Sequence, residues 1–164
     1  MQQVKMPKTS HIHVRPLEIG DFTFVRELAS KQQSFTVPPA YVLWLIMRIK
    51  GAVCLIAEHV DYGQLGYLLA VPLEGPKKSL FVWQLAALER GLGEGATLAL
   101  LTALRDFACG EHVRSIAFSL RPRSATYRLI ARYTDKLVAN IPRLTSALPL
   151  AIALDESEYQ IDLE

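Results

Sequence analysis

The 164-residue chain has a mass of 18.3 kDa, a size that fits one domain and leaves little room for a second. Hydrophobic residues make up 51% of the chain and charged residues 21%, which excludes a disordered chain, a collagen-like repeat and a mini-protein held by disulfides. A net charge of +2 does not favour nucleic-acid binding. We expect a flexible leader over residues 1–10 and a single domain over residues 11–164.

Apolar periodicity, bounded by glycine and proline, predicts alternating groups of strands and helices. In chain order we predict a strand over 11–17, helices over 21–30 and 38–51, strands over 52–57, 65–71 and 80–87, a helix over 95–109, a strand over 113–120, a helix over 124–133, one further strand, and a last strand over 159–163. This order predicts an α/β (α+β) fold, a mixed sheet with helices on both faces.

Charge is unevenly distributed along this balanced chain. The segment from Arg114 to Arg143 is basic and suits an anionic ligand, whereas the tail from Asp155 to Glu164 is acidic and suits a cationic one. The two cysteines, Cys54 and Cys109, lie in apolar surroundings and are interpreted as buried free thiols. No cysteine or histidine spacing indicates a metal site, and no run is long enough for a membrane span. We expect a cytoplasmic protein.

A glycine-rich segment, Arg90 to Gly95, joins the most apolar predicted strand to a long predicted helix. Glycines permit a tight turn, and the first amides of a helix lack partners within it, so together they favour a phosphate-binding site. A side chain at Gly93 or Gly95 would then block the approach of a diphosphate. A purely structural strand-to-helix connection is the equal alternative. Neither the dinucleotide fingerprint nor the Walker loop is matched.

The segment resembles motif A of the GCN5-related N-acetyltransferase family, Arg/Gln-x-x-Gly-x-Gly/Ala after the fourth strand, here Arg90, Gly93 and Gly95. The order of elements resembles that family from Ile12 to Leu163. The resemblance implies a mostly antiparallel sheet of about seven strands that splays between strands four and five. It also implies that acetyl-CoA places its pyrophosphate on the amides of the turn and its pantetheine arm between those two strands.

Two registers of this motif remain open, because an ungapped match puts Leu92 at the arginine and Thr97 at the last glycine. The cofactor-binding residues that the resemblance implies combine strand-end backbone groups with amides of the turn and helix. They are Leu85, Ala86, Ala87, Arg90, Gly91, Leu92, Gly93, Glu94, Gly95, Ala96 and Thr97.

The stretch Leu80 to Ala86, Leu-Phe-Val-Trp-Gln-Leu-Ala, is similar to Leu-Phe-Val-Trp-Gln-Val-Ala of the diaminobutyrate acetyltransferase branch of the family. That likeness implies that Trp83 faces the acceptor, although a core tryptophan is the simpler interpretation. Tyr41, after Pro38-Pro39, resembles the tyrosine in the second helix of the same branch and would complete the acceptor wall. Thr36 stands where that branch has an acidic residue. Glu156 or Glu158 would then supply the carboxylate for a substrate ammonium, although a solvated acidic face is the simpler interpretation.

Many members of the family use a tyrosine as general acid in the helix after strand five, and Tyr127 is the candidate here. The usual position falls at Ile130 or Ala131, so a packing role for Tyr127 is the alternative.

The sequence therefore predicts an acetyl-CoA-dependent N-acetyltransferase that acts on a small-molecule amine such as a diamino acid. The alternative is a degenerate fold of this family that binds a CoA thioester or a protein partner without catalysis. We expect no metal, nucleic-acid or membrane partner. The apolar stretch over residues 147–154 would support a homodimer.

Overall fold

In the described residues, the secondary structure follows the predicted order of elements, and the further strand predicted between residues 133 and 159 lies outside them. The computed structural model describes residues 11–32, 35–89, 91–120, 128–130 and 157–162. The strands are β1 (Ile12–Pro16), β2 (Val53–His59), β3 (Gly63–Leu73), β4 (Ser79–Ala87), β5 (Ser115–Leu120) and β6 (Ser157–Asp162). The helices are α1 (Phe22–Ser30), α2 (Ala40–Ile46) and α3 (Gly93–Gly110), with a short 3-10 helix at Ile19–Asp21. Residues 128–130, inside the helix predicted over 124–133, are helical.

The strands form one mixed sheet in the order β1-β2-β3-β4-β5-β6. β1 pairs antiparallel with β2, β4 pairs parallel with β5, and β5 pairs antiparallel with β6. The described pairs between β4 and β5 run from Ser79–Ser115 to Val82–Phe118, and the predicted splay beyond them stays a prediction. The mixed α/β fold is confirmed, whereas the described part of the chain contains six strands and does not confirm the predicted seven.

Two predicted helix boundaries are wrong. The helix predicted over 38–51 ends at Ile46, and the chain then continues through turns in which the amides of Arg48 and Ile49 donate to carbonyls three residues back. The helix predicted to start at Gly95 starts at Gly93. The second difference matters for function, because it makes Gly93 the first residue of the helix that follows the glycine-rich turn.

Packing divides the chain into two compact units. The first comprises Met1–Leu69 and Gln84–Arg105, and the second comprises Ala70–Trp83 and Asp106–Glu164. The predicted single domain over residues 11–164, after a leader over 1–10, stays a prediction.

The core of the first unit is built by helix faces and strands with the expected apolar periodicity. In α1, the apolar side chains at helical spacing are all buried, namely Phe22, Val25, Leu28 and Ala29. The fully buried large side chains include Leu43 of α2, Ile56 of β2, Tyr67 of β3, and Leu100 and Leu104 of α3.

A charged network joins β1 and the 3-10 helix to β2 and β3. The Arg15 guanidinium donates two hydrogen bonds of 2.8 Å to the buried Asp21 carboxylate and one of 3.1 Å to Glu58. The amide of Glu18 donates to Asp21 at 2.8 Å, and the Gln64 side chain also donates to it. These partners hold the pKa of Asp21 below its usual value, because the guanidinium stabilises the charged form despite burial.

The second unit centres on the first part of β4 and on β5. Leu80 and Val82 of β4 and Ile116 and Phe118 of β5 are buried. The Arg114 amide donates to the Lys78 carbonyl at 2.7 Å, just before the paired residues begin. Apolar side chains on both strands therefore explain the near-continuous apolar run that β4 shows in the sequence.

Candidate functional site

The turn between β4 and α3 is short and depends on glycine. β4 ends at Ala87, and the Leu88 amide still donates to the Leu65 carbonyl of β3 at 2.9 Å. Gly91 has a φ of 72°, a left-handed conformation that favours glycine. α3 then starts at Gly93 and runs for 18 residues. The strand end, the glycine turn and the helix N-terminus therefore occur in the predicted order.

At Gly93 the protein's own backbone excludes a side chain. A Cβ atom placed on Gly93 would lie 1.6 Å from the Leu88 carbonyl oxygen. We expected the missing side chain to leave room for a diphosphate, but the Leu88 carbonyl occupies that room. Glycine at position 93 is thus required for the turn to close, whatever the turn binds.

Two polar groups near the N-terminus of α3 already have hydrogen-bond partners within the protein. The Ala96 amide donates to the Leu92 carbonyl at 2.8 Å, and the buried Thr97 hydroxyl donates to the Gly93 carbonyl at 3.0 Å. Both groups are therefore used within the helix. The amides of Gly93 and Gly95 lie in the first turn of α3, where the helix dipole favours negative charge.

The end of β4 lies close to β3 because of a second glycine. A Cβ atom on Gly66 of β3 would lie 2.7 Å from the Ala86 carbonyl oxygen and 3.0 Å from the Ala87 Cβ atom. Leu85 and Ala86 have buried side chains, and Ala87 is half-buried. The residues predicted to offer backbone groups to a cofactor are thus fixed from the β3 side by a contact that only glycine allows.

A buried amide connects β4 to the segment that precedes α2. Gln84 is 4% exposed; its Nε2 donates to the Thr36 carbonyl at 2.9 Å, and its Oε1 accepts from the Tyr67 hydroxyl at 2.9 Å. Burial raises the pKa of Tyr67, so its phenol stays protonated and acts as a donor. Neither Gln84 nor Tyr67 is among the residues singled out from the sequence. A glutamine inside an otherwise apolar strand is the signal that would have identified Gln84.

The predicted acceptor residues lie in several places. In the first unit, Thr36 is exposed, and Tyr41 of α2 is 66% exposed. In the second unit, Trp83 is half-buried on β4, and Glu158 lies on β6 opposite Ser119. Arg90, Tyr127 and Glu156 lie outside the described residues. The hydrogen bond from Gln84 brings Thr36, but not its side chain, into contact with β4.

Exposed aromatic and apolar side chains extend past Tyr41 along α2. Trp44 is 41% exposed and Leu45 is 49% exposed. The Arg48 guanidinium carbon lies 4.0 Å from the centre of the Trp44 ring, a cation–π contact.

The two thiols differ in exposure, and neither is fully buried, so the prediction of two buried cysteines is wrong. Cys54 is half-buried, and burial raises its pKa to about 11. Cys109, in the last turn of α3, is exposed.

The described part of the chain offers neither a metal cluster nor a membrane span. There, the His, Cys, Asp and Glu residues do not form a group of three or more that could hold a metal ion. No described helix is both long and apolar enough to cross a bilayer.

Comparisons with known proteins identify similar structures, although no family model and no curated protein matches the sequence. A diaminobutyrate acetyltransferase from Paenibacillus lautus, in complex with L-2,4-diaminobutyric acid and coenzyme A, is 27% identical with a TM-score of 0.70, covering 92% of this chain and 94% of that one. A spermidine N-acetyltransferase mutant from Vibrio cholerae is 12% identical with a TM-score of 0.69, covering 94% of each chain. A putative acetyltransferase from Salmonella typhimurium, with its cofactor acetyl-CoA, is 11% identical with a TM-score of 0.68, covering 94% of each chain.

These structural neighbours are acetyltransferases of the GCN5-related family, and their structures include complexes with coenzyme A or acetyl-CoA. The resemblance drawn from the glycine turn and the tryptophan-containing strand is confirmed. The more distant neighbours show the fold alone, whereas the diaminobutyrate acetyltransferase also shares a modest part of the sequence.

Proposed function

We propose that the chain is an acetyl-CoA-dependent N-acetyltransferase that acts on the amine of a small molecule such as a diamino acid. The observation that carries the proposal is the turn after β4. There, Gly91 in a left-handed conformation and Gly93 packed against the Leu88 carbonyl lead directly into the N-terminus of α3. The acetyltransferase neighbours with bound coenzyme A or acetyl-CoA support the same assignment.

The turn has the chemistry that a diphosphate needs. Amides that point out of a helix N-terminus donate to phosphate oxygens, and the helix dipole adds favourable charge. In this proposal the amides of Leu92, Gly93 and Gly95 hold the diphosphate of acetyl-CoA, and Gly91 and Arg90 are further candidates. Backbone groups of Leu85 and Ala87 then hold the pantetheine arm, at the strand end that packs against Gly66.

The reaction requires a neutral amine. Its nitrogen attacks the thioester carbonyl carbon, a C–N bond forms, and the C–S bond breaks. The amine loses one proton, and the departing thiolate gains one to become the free thiol of coenzyme A. We propose Tyr127 as the donor of that proton.

Trp83 and Tyr41 are separate candidates for an aromatic contact with the acceptor. A second ammonium on the acceptor would require a carboxylate, for which Glu156 and Glu158 are the candidates. Thr36 is exposed and carries no charge, so it does not replace the acidic residue of the diaminobutyrate branch. We therefore expect L-2,4-diaminobutyrate to be a poor substrate, or none.

The direct test is turnover of amines with acetyl-CoA, followed by mass spectrometry of the acetylated product. A panel of L-2,4-diaminobutyrate, L-ornithine, L-lysine and spermidine spans one class of acceptor, and we expect at least one to gain a single acetyl group. Colorimetric thiol detection would need the Cys109→Ser variant, because the exposed thiol reacts with the same reagents. Failure of all four amines, with acetyl-CoA still bound, supports the non-catalytic alternative, which the uncharged Thr36 favours.

A further inference from the structure

The side-chain amide of Gln84 joins three parts of the first unit. These are β4, which carries it, β3, which supplies the Tyr67 hydroxyl, and the irregular segment over residues 35–39, which supplies the Thr36 carbonyl. Gln84 and Thr36 are 48 residues apart in the sequence. A long-range contact of this kind fixes the segment before α2 at one point on the sheet.

The chemistry of the partners fixes the direction of the amide. A carbonyl oxygen only accepts hydrogen bonds, so the Thr36 carbonyl must face the Nε2 group of Gln84. The opposite end, Oε1, then faces the Tyr67 hydroxyl, which donates. Both amide ends thus have partners, in a position that is 4% exposed. An apolar side chain could fill the same space but could not bond the Tyr67 hydroxyl or the Thr36 carbonyl. Gln84 therefore connects these two groups as well as filling the core.

The chain between Thr36 and Tyr41 is short and stiff. Pro38 is buried and Pro39 precedes the first residue of α2, with a φ of −59°. Two consecutive prolines restrict rotation about the backbone. The amide of Val42 donates to the Pro39 carbonyl at 3.0 Å, which ties the first turn of α2 to the same segment. We therefore expect a shift of the Thr36 carbonyl to displace Tyr41.

We propose that Gln84 is a positioning residue for the amine acceptor. By holding the Thr36 carbonyl, Gln84 fixes the acceptor rim, which we define as the exposed side chains of Thr36 and Tyr41. Gln84 itself is buried and does not touch the acceptor. The inference rests on the proposed function, because it assigns the rim to the acceptor and not to the acyl donor.

The test compares two variants that share Tyr67→Phe and differ at residue 84, which carries the hydrogen bond to the Thr36 carbonyl. Tyr67→Phe removes the hydroxyl but keeps the bond from Gln84 to the Thr36 carbonyl. The double variant Gln84→Met with Tyr67→Phe removes both polar groups at similar volume, so that it folds without a buried hydroxyl lacking a partner. The Thr36→Ala variant retains the carbonyl and serves as a control for the threonine side chain.

Two measurements read the positioning. Hydrogen exchange of the Val42 and Leu43 amides should be at least tenfold faster in the double variant than in Tyr67→Phe. The acceptor KM, measured with whichever of L-2,4-diaminobutyrate, L-ornithine, L-lysine and spermidine the protein acetylates, should rise at least tenfold. The KM for acetyl-CoA should stay within twofold in both variants, and Thr36→Ala should keep the slow exchange.

The outcomes separate this inference from the proposed function. A wild-type protein that acetylates at least one amine, together with a double variant of unchanged acceptor KM, overturns the positioning role alone. An equal rise of the acceptor KM in Tyr67→Phe also overturns it, because that variant keeps the link to Thr36. A wild-type protein that acetylates none of the four amines contradicts the proposed function, and the acceptor role of Gln84 falls with it.

Discussion

Gly93 illustrates how a glycine can be required by the protein itself and not by a ligand. Its Cα atom faces the Leu88 carbonyl, and an added Cβ atom would lie 1.6 Å from that oxygen. Only movement of the backbone would relieve such an overlap. The glycine turn is therefore a folding determinant first, and the amides proposed to bind an anion depend on it.

We expect Gly93→Ala to lower the free energy of unfolding by about 3 kcal/mol or more, since the overlap cannot be relieved by a side-chain rotation. Urea unfolding measures this change. The matched control is Gly20→Ala, where an added Cβ atom meets nothing within 4 Å. Equal stability of the two variants would contradict the packing of Gly93 against Leu88.

The buried carboxylate of Asp21 makes stability depend on pH. Its pKa is lowered first by the hydrogen bonds from Arg15, so the folded state favours the charged form. A carboxylate with a lowered pKa stabilises the fold above its unfolded value of about 4, and that stabilisation is lost as the pH falls through the folded value. Acid should therefore weaken the contacts of Asp21 with Arg15 of β1 and with Gln64 of β3.

We expect Asp21→Asn to lose about 1.5–3 kcal/mol of unfolding free energy at neutral pH, the usual range for hydrogen bonds to a charged group. The difference from wild type should shrink below about pH 4. Urea unfolding at several pH values measures it. Asp61→Asn, with a side chain that is 74% exposed, is the control, and a difference that grows in acid would show that the charge of Asp21 has no stabilising role.

At the scale of elements, the end of β4 is positioned by β3. Gly66 allows the Ala86 carbonyl to approach within a distance that no side chain would tolerate. Displacement of this strand end would move the backbone groups of Leu85 and Ala87, which the proposed function assigns to the acyl donor. Packing between two strands would thereby control affinity for acetyl-CoA.

We expect Gly66→Ala to weaken acetyl-CoA binding at least tenfold by calorimetry, because the added methyl group must push the end of β4 away from β3. Gly20→Ala again provides the comparison with a glycine in open space. If Gly66→Ala remains folded and binds acetyl-CoA like the wild type, the end of β4 does not hold the donor.

The outcome for each element shows what sequence patterns can and cannot establish. α1 is confirmed because Phe22, Val25, Leu28 and Ala29 recur at helical spacing and are buried. The predicted second helix is too long because it was extended to the apolar Ile49, whose side chain is 44% exposed, so that its hydrophobicity does not report burial. The contacts of Gln84 and Gly93 are formed in three dimensions, between residues whose pairing leaves no pattern in the sequence.

At the scale of the whole molecule, a donor that binds only the folded state must stabilise it by mass action. We expect acetyl-CoA to raise the melting temperature, with a gain of about 2.7 kcal/mol when its concentration is 100 times its Kd. Differential scanning fluorimetry over a series of acetyl-CoA concentrations measures the effect. Free coenzyme A should act similarly, since it carries the same diphosphate, and no shift with either molecule would contradict the proposed donor site.

The hydrogen bond from Gln84 ends on a main-chain carbonyl, and a carbonyl is present whatever side chain a residue carries. Residue 36 can therefore change during evolution without losing its attachment to β4. Its exposed side chain is free to acquire a charge, a hydroxyl or an apolar group, each suited to a different amine. If Thr36 and Tyr41 form the acceptor rim, as we propose, the geometry of that rim is separate from the chemistry displayed there, so that a change of substrate can precede any loss of stability.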